Sequence, residues 1–263
     1  MLIGFGKKKE PEETKNQSEP QIIRKKVWYD IHGHFLPLMD DGCTSAGEAV
    51  SLLQLCRRQG IAGMIATPHY DSSEAIEAFL ARRQRAYELL TEALEKDGQP
   101  YPKICLGAET AYSPGMIYDE DFPKLVLGSS SYMLIELPVR KWDFALIHDI
   151  KSVSALHGIT PVIAHLERHL YDQPKEMLRA LYETEALIEM DAEAVFEAKG
   201  LKDAKKRIHD GYVQVMGSDV HNMVDRRPNL REAADLLDAE GMTEAGELLR
   251  RTGKLIFDAA YGK

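Results

Sequence analysis

From Val27 onward the chain alternates short apolar runs with amphipathic helical stretches, and the runs lack the polar–apolar alternation of a half-exposed strand. Seven such runs stand out: 27–31 (VWYDI), 61–67 (IAGMIAT), 103–108 (KICLGA), 132–136 (YMLIE), 160–164 (TPVIA), 186–190 (ALIEM) and 212–217 (YVQVMG). A continuous apolar run of this length suits a strand covered on both faces, as in a parallel sheet. Strands that alternate with helices pair in parallel through right-handed crossovers. The pattern therefore predicts an α/β fold built as a closed or nearly closed barrel, with an open doubly wound sheet as the structural alternative.

The helices between the runs carry their own punctuation. Ser45 followed by Glu48 has capping-box spacing ahead of AVSLLQLCRRQ, and Gly60 closes that helix. A long helix is predicted over 73–96, stopping at Gly98, and helical periodicity also fits 143–157, 174–184, 193–210 and 230–260. Residues 7–26 (KKKEPEETKNQSEPQIIRKK) are charged and Pro-punctuated, and they offer little to bury against the entropy of ordering. We therefore expect a flexible N-terminal extension over 1–26 and one barrel domain over 27–263. The basic clusters Lys7-Lys8-Lys9 and Arg24-Lys25-Lys26 read as a solvated tail, with an acidic membrane surface or partner as the alternative.

Charge and cysteine usage exclude several function classes. The net charge is −9, from 33 Lys+Arg against 42 Asp+Glu, which leaves no electrostatic footprint for nucleic acid. Cys43, Cys56 and Cys105 show no CxxC or paired spacing, which fits a reducing compartment and argues against a disulfide framework. No stretch approaches the length of a membrane span, and the start lacks a secretory-signal pattern, so a cytoplasmic location is expected. A cysteine-based tyrosine phosphatase needs an Arg six positions after its nucleophile, and positions 49, 62 and 111 are all Ala.

The chemistry sits where the strands end. The first run closes on Asp30-Ile31-His32-Gly33-His34, and the period of two along an extended segment puts both imidazoles on one face. Asp40-Asp41-Gly42 follows on a loop. The second run ends at Thr67-Pro68-His69, the third at Gly107-Ala108-Glu109, and the fourth places Glu136 inside Leu134-Ile135-Glu136-Leu137-Pro138. A carboxylate in such a run is costly to bury unless it is paired or metal-bound. The fifth run ends at His165-Leu166-Glu167-Arg168, and the seventh at Asp219-Val220-His221, a DxH that mirrors the HxH. Taken singly, each is better explained by a structural ion pair or a satisfied core histidine. Jointly they occupy one rim, the edge on which a barrel builds its active site.

His148, His157 and His209 fall inside predicted helices and read as structural or surface residues, His169 offers only adjacency, and Asp191 is a candidate supporting group. His32, His34, His69, His165 and His221 with Asp41, Glu109, Glu136 and Asp219 form a mixed N/O donor set without thiolate, suited to Mn²⁺, Fe²⁺ or Zn²⁺. Nine donors exceed the needs of one ion, so two or three are expected, a geometry suited to phosphoester hydrolysis by metal-activated water. Arg168 would add a fork of donors for a phosphoryl oxygen, and Arg226 and Arg227 could do likewise.

In order and spacing, DIHGHFLPLMDDG, ATPHY, GAE, LIELP, AHLER and GSDVHN resemble the polymerase-and-histidinol-phosphatase (PHP) superfamily, over roughly three quarters of the chain. Within it they look like the bacterial tyrosine-protein phosphatases of capsular and exopolysaccharide clusters. The resemblance implies a distorted (β/α)7 TIM-like barrel with a trinuclear centre, usually supported by manganese. Carried over, it gives His32, His34, Glu109 and Asp219 to one ion. Glu109 would bridge to a second ion held by Glu136 and His165, with Asp41, His69 and His221 on the third, and Arg168 and Arg226 on phosphate. The implied substrate is the phosphotyrosine-rich tail of a membrane-associated bacterial tyrosine kinase that tunes polysaccharide export. The sequence departs from the family pattern at Gly33, where Ser is frequent, at Leu38, where Gly is usual, and at Leu166, where Pro is usual. Three other readings compete: a small-molecule phosphatase of the histidinol-phosphate type, a TatD-like metal nuclease, and a non-catalytic module that engages the kinase tail.

Overall fold

A computed structural model of the chain describes residues 26–262. The strands are β1 Trp28–Asp30, β2 Ile61–Ala66, β3 His69–Tyr70, β4 Lys103–Leu106, β5 Glu109–Ala111, β6 Tyr132–Glu136, β7 Thr160–Ile163, β8 Leu187–Asp191 and β9 Val215–Gly217. The helices are α1 Ala46–Arg58, α2 Ile76–Asp97, α3 Phe144–His157, α4 Lys175–Tyr182, α5 Ala198–His209, α6 Leu230–Ala239 and α7 Thr243–Ala260. Every strand pairing is parallel, as the unalternating apolar runs require. The strands form a three-stranded sheet, β1-β2-β4, and a six-stranded half-barrel sheet, β3-β5-β6-β7-β8-β9.

The second and third runs end within two residues of their expected ends, and each leads into a further short strand outside its bounds. Thr67-Pro68 separates β2 from β3, and Gly107-Ala108 separates β4 from β5. Pro68 cannot donate to a ladder, and a Cβ at position 107 would meet the Leu127 side chain at 2.6 Å. The backbone stays linked across the breaks through Gly107 N to Ala66 O (2.7 Å) and Glu109 N to Pro68 O (3.1 Å). On the other side, the segment after β1 joins the segment after β9 through a parallel bridge, Gly33–Val220, with His34 N donating to Val220 O at 2.7 Å.

Ile31, Ile65, Cys105, Leu134, Val162 and Val215 form an apolar layer on the inner face of the strands, closed from one side by Ile256, Phe257 and Ala260 of α7. A second, larger core lies between the outer faces and the other helices. The single helix expected over 230–260 is two, because Gly241 takes a left-handed φ of 79° and turns the chain between α6 and α7. The cap at Ser45 forms as predicted, accepting from Glu48 N, but Glu48 reaches back to the N–H and hydroxyl of Thr44. The expected N-terminal extension lies outside the described residues except for Lys26, whose carbonyl accepts from Arg231 at 2.9 Å. Among the described residues no helix is long and apolar enough to cross a membrane.

Candidate metal centre

The C-terminal ends of the strands bring the nine sequence-predicted donors to one place. His32, His34, Glu109, His165, Asp219 and His221 are almost fully buried there, while His69, Glu136 and Asp41 face the opening. Donor atoms of His32, His34, Glu109 and Asp219 lie within 4.8 Å of one another, as do those of His34, Asp41, His69 and His221. A third such group joins Glu136 and Glu109 to His69, whereas the resemblance pairs them with His165. His165 Nε2 sits 2.7 Å from Glu109 Oε1 and 3.7 Å from Glu136 Oε1.

Glu109 Oε2 is the focus of the cluster. It lies 3.2 Å from His32 Nε2, 3.1 Å from His34 Nε2 and 3.0 Å from His69 Nδ1, yet none of these contacts has hydrogen-bond geometry. Asp219 Oδ1 repeats the pattern, 3.3 Å from His32 Nε2 and 3.4 Å from His34 Nε2 and likewise without a donor. His221 Nε2 is a further buried donor atom without a hydrogen bond. Buried polar groups are nearly always hydrogen-bonded, so lone pairs aimed at shared points without hydrogen bonds fit a set of metal ligands. The donor chemistry of these residues therefore fits divalent ions.

Backbone geometry supports the same placement. His165 and Asp219 adopt left-handed φ values of 33° and 50°, a conformation that non-glycine residues rarely hold outside functional sites. Gly217 on β9, two residues before Asp219, is obligatory, since a Cβ there would meet Glu189 Oε1 at 2.3 Å and His32 Cβ at 2.7 Å.

The electrostatics follow from this crowding. Burial disfavours a charged His32, but Glu109, Asp219 and Glu189 outweigh it and raise its pKa well above the usual value. His34 is likewise opposed by burial and raised to about 10 by Asp219, Asp40 and Glu109. Glu109 is held well below the carboxylate range, where the imidazoles overcome the effect of burial. These protons must leave when a cation binds.

Both predicted arginines stand at the rim. Arg168 Nη2 donates to Asp219 Oδ2 and, at 2.8 Å, to Asp191 Oδ2. Arg226 Nη2 donates to the same Asp219 oxygen, and its Nη1 lies 3.3 Å from Asp41 Oδ2. Arg227 does not join them, because its guanidinium pairs with Glu232 at 2.8 Å. The three cysteines are buried and free, with burial raising the thiol pKa of Cys43 to about 12 and of Cys105 to about 11, which leaves no thiolate nucleophile among them.

Three carboxylates behind the ligands escaped the sequence reading. Asp40 Oδ2 lies 2.8 Å from His34 Nδ1 and accepts from His69 N at 3.0 Å, with Gly42 N on its other oxygen. Glu189 Oε2 accepts from His165 N at 2.7 Å while Oε1 lies 3.5 Å from His32 Nδ1. Asp30 Oδ1 ties the two ligand segments together, accepting from His32 N (3.3 Å) and Ser218 N (3.0 Å). Glu189 sits as an acid inside an apolar run, the same signal that singled out Glu136, and could have been found by it. Asp191, read as a supporting group, holds Arg168.

A family model for capsular polysaccharide synthesis, CpsB/CapC, matches residues 28–256. The chain belongs to the CpsB/CapC family. It is 29% identical to the tyrosine-protein phosphatase YwqE of Bacillus subtilis over 86% of this chain and 90% of that protein. Against the tyrosine-protein phosphatase CpsB of Streptococcus pneumoniae it is also 29% identical, covering 87% of this chain and 98% of the relative. Among solved structures, the crystallographic study of YwqE and CpsB, described there as unique metal-dependent tyrosine phosphatases, superimposes with a TM-score of 0.75 at 25% identity. The match covers 88% of this chain and 94% of that one.

Proposed function

We propose that the chain is a metal-dependent protein-tyrosine phosphatase whose substrate is the phosphotyrosine tail of a bacterial membrane tyrosine kinase regulating polysaccharide export. The observation that carries this reading is the convergence of three imidazoles on Glu109 Oε2 without hydrogen bonds, beneath a rim bearing two arginines. Family membership and the activity named for the relatives supply the substrate class.

His32, His34, Asp41, His69, Glu109, Glu136, His165, Asp219 and His221 would hold two or three divalent ions. The mixed N/O set suits Mn²⁺, with Fe²⁺ and Zn²⁺ as alternatives. When bound, such ions lower the pKa of water and neutralise charge on the phosphoryl oxygens. The chain's own groups do the rest. Asp40 and Glu189 orient His34 and His32, and Arg168 and Arg226 present guanidinium forks that hold the phosphoryl group and stabilise the charge developing on it. The strand order and the Gly33–Val220 bridge support a distorted (β/α)7 barrel over 27–263 as one domain. Three free, buried cysteines fit a cytoplasmic setting.

Purified full-length chain supplied with Mn²⁺ is expected to hydrolyse p-nitrophenyl phosphate and a phosphotyrosyl peptide, and excess EDTA to abolish both activities. Full activity in EDTA, or in the His32→Ala/His34→Ala double variant, overturns the proposal. One observation favours a second reading, a small-molecule phosphatase of the histidinol-phosphate type: a cavity of about 480 Å³ adjoins Arg168 and Arg226. Turnover of histidinol phosphate well above that of the peptide would select it.

A further inference from the structure

His221 and Arg226 stand at the two ends of one short loop after β9, the first in the donor set and the second on the rim. Little packing shapes this loop, since Met223, Val224 and Asp225 are all exposed, Val224 to 77%. Its shape nevertheless decides which guanidinium serves the centre. Arg226 donates to Asp219, while Arg227, one residue on, pairs with Glu232.

Asn222 supplies the shape. Its side-chain Oδ1 accepts from three successive backbone N–H groups, those of Val224 at 2.8 Å, Asp225 at 2.9 Å and Arg226 at 3.3 Å. Arg226 O closes the loop from the other direction, accepting from His221 N at 2.9 Å and Asn222 N at 3.2 Å. Asn side chains set turns through local bonds of this kind, which substitute for packing where a loop has none. The imidazole of His221 is anchored separately, with Nδ1 2.8 Å from Asp219 O. The amide oxygen of Asn222 therefore bears on the Arg226 end of the loop, and the histidine ring does not depend on it.

We propose that Asn222 is a positioning residue for Arg226: it fixes the loop so that this guanidinium, and not that of Arg227, meets the phosphoryl group. The inference rests on the phosphatase reading above, in which Arg226 holds phosphate. It extends that reading to a residue outside the donor set whose contribution is the direction of its neighbour.

The test compares wild type, Asn222→Ala, Asn222→Asp, Arg226→Ala and the Asn222→Ala/Arg226→Ala double variant, all as full chains with Mn²⁺ and p-nitrophenyl phosphate. Folding is checked by thermal melting, and Asn222→Leu, similar in size but without the oxygen, replaces Asn222→Ala if the latter does not fold. Asn222→Ala should lower kcat/KM by about tenfold or more, the cost of a displaced charge-assisted clamp. Asn222→Asp keeps the acceptor oxygen and should recover most of that loss. In the Arg226→Ala background the same Asn222→Ala change should cost less than about twofold further, because the group it directs is gone. The Mn²⁺ concentration for half-maximal activity should move by less than about twofold in Asn222→Ala, whereas a misoriented ligand would raise it about 10- to 100-fold. Four results overturn the positioning role: unchanged kcat/KM in either single alanine variant, equal losses in the Ala and Asp variants, additive losses in the double variant, or a Mn²⁺ requirement that rises in step with the loss of activity. Any of these with an active wild type leaves the phosphatase standing, whereas no turnover by the wild type overturns both.

Discussion

Asp40 and Asp41 are neighbours in sequence with opposite tasks. Asp41 is exposed and turns its carboxylate toward His69 and His221, at 3.4 and 3.2 Å, as a ligand would. Asp40 points inward, and although burial opposes its charge, His34 and the N–H groups of His69 and Gly42 pull its pKa down to about 2. It thus stays ionised and fixes which nitrogen of His34 faces the centre, the arrangement by which outer carboxylates orient metal-binding histidines. Asp40→Asn should raise the Mn²⁺ concentration needed for half-maximal activity by about 10- to 100-fold with the fold intact. An unchanged Mn²⁺ requirement would show that His34 needs no orientation from Asp40. The sequence displayed the pair but not the division of labour, because a loop's side-chain directions are set by what the loop packs against.

At the scale of elements, the loop between β1 and α1 contains a residue in the wrong conformation for its type. Leu38 has a left-handed φ of 62° and is 69% exposed, with its N–H donating to Cys43 O at 2.9 Å. That turn brings Asp40 and Asp41 to the centre. Gly adopts this conformation without the clash that costs an L-residue about 1–2 kcal/mol. Part of the gain is offset by the greater freedom of Gly in the unfolded chain, so Leu38→Gly should raise stability by about 0.5–1 kcal/mol in urea unfolding. A lower midpoint would mean that the exposed Leu38 side chain contributes packing. Strand existence and direction were legible from the apolar runs. The short strands β3 and β5 beyond the ends of the second and third runs, which carry His69 and Glu109, were not.

For the whole molecule, the centre gathers charges that the fold alone compensates poorly. Ions that bind only the folded chain should stabilise it, by about 2.7 kcal/mol at a hundred times their dissociation constant. The gain should depend on pH with a definite sign. The carboxylates raise His34 above its ordinary 6.5 to about 10, so without an ion its proton contributes stability in full below pH 6.5 and progressively less as pH rises through 10. A bound ion must displace that proton, so its affinity, and the rise in melting temperature on adding Mn²⁺, should be larger at pH 8.5 than at pH 6.5. A smaller rise at the higher pH, read by scanning fluorimetry, would contradict this.

The amino-acid sequence by itself determined the alternation of buried parallel strands with helices, and the residue types delivered at one end of each strand. Both are local properties, set by the period of apolar residues and by strand polarity. Only the tertiary structure decided which donors meet, which carboxylates stand behind them and where the arginines point. It placed Arg226 on Asp219 but turned Arg227 away to Glu232, and it put Glu189 between His32 and His165. It also set Arg168 beside a cavity whose walls come from segments as distant as Glu167 and Asn229. These outcomes depend on contacts between residues far apart in the chain, fixed by packing and by the pairing of buried charges.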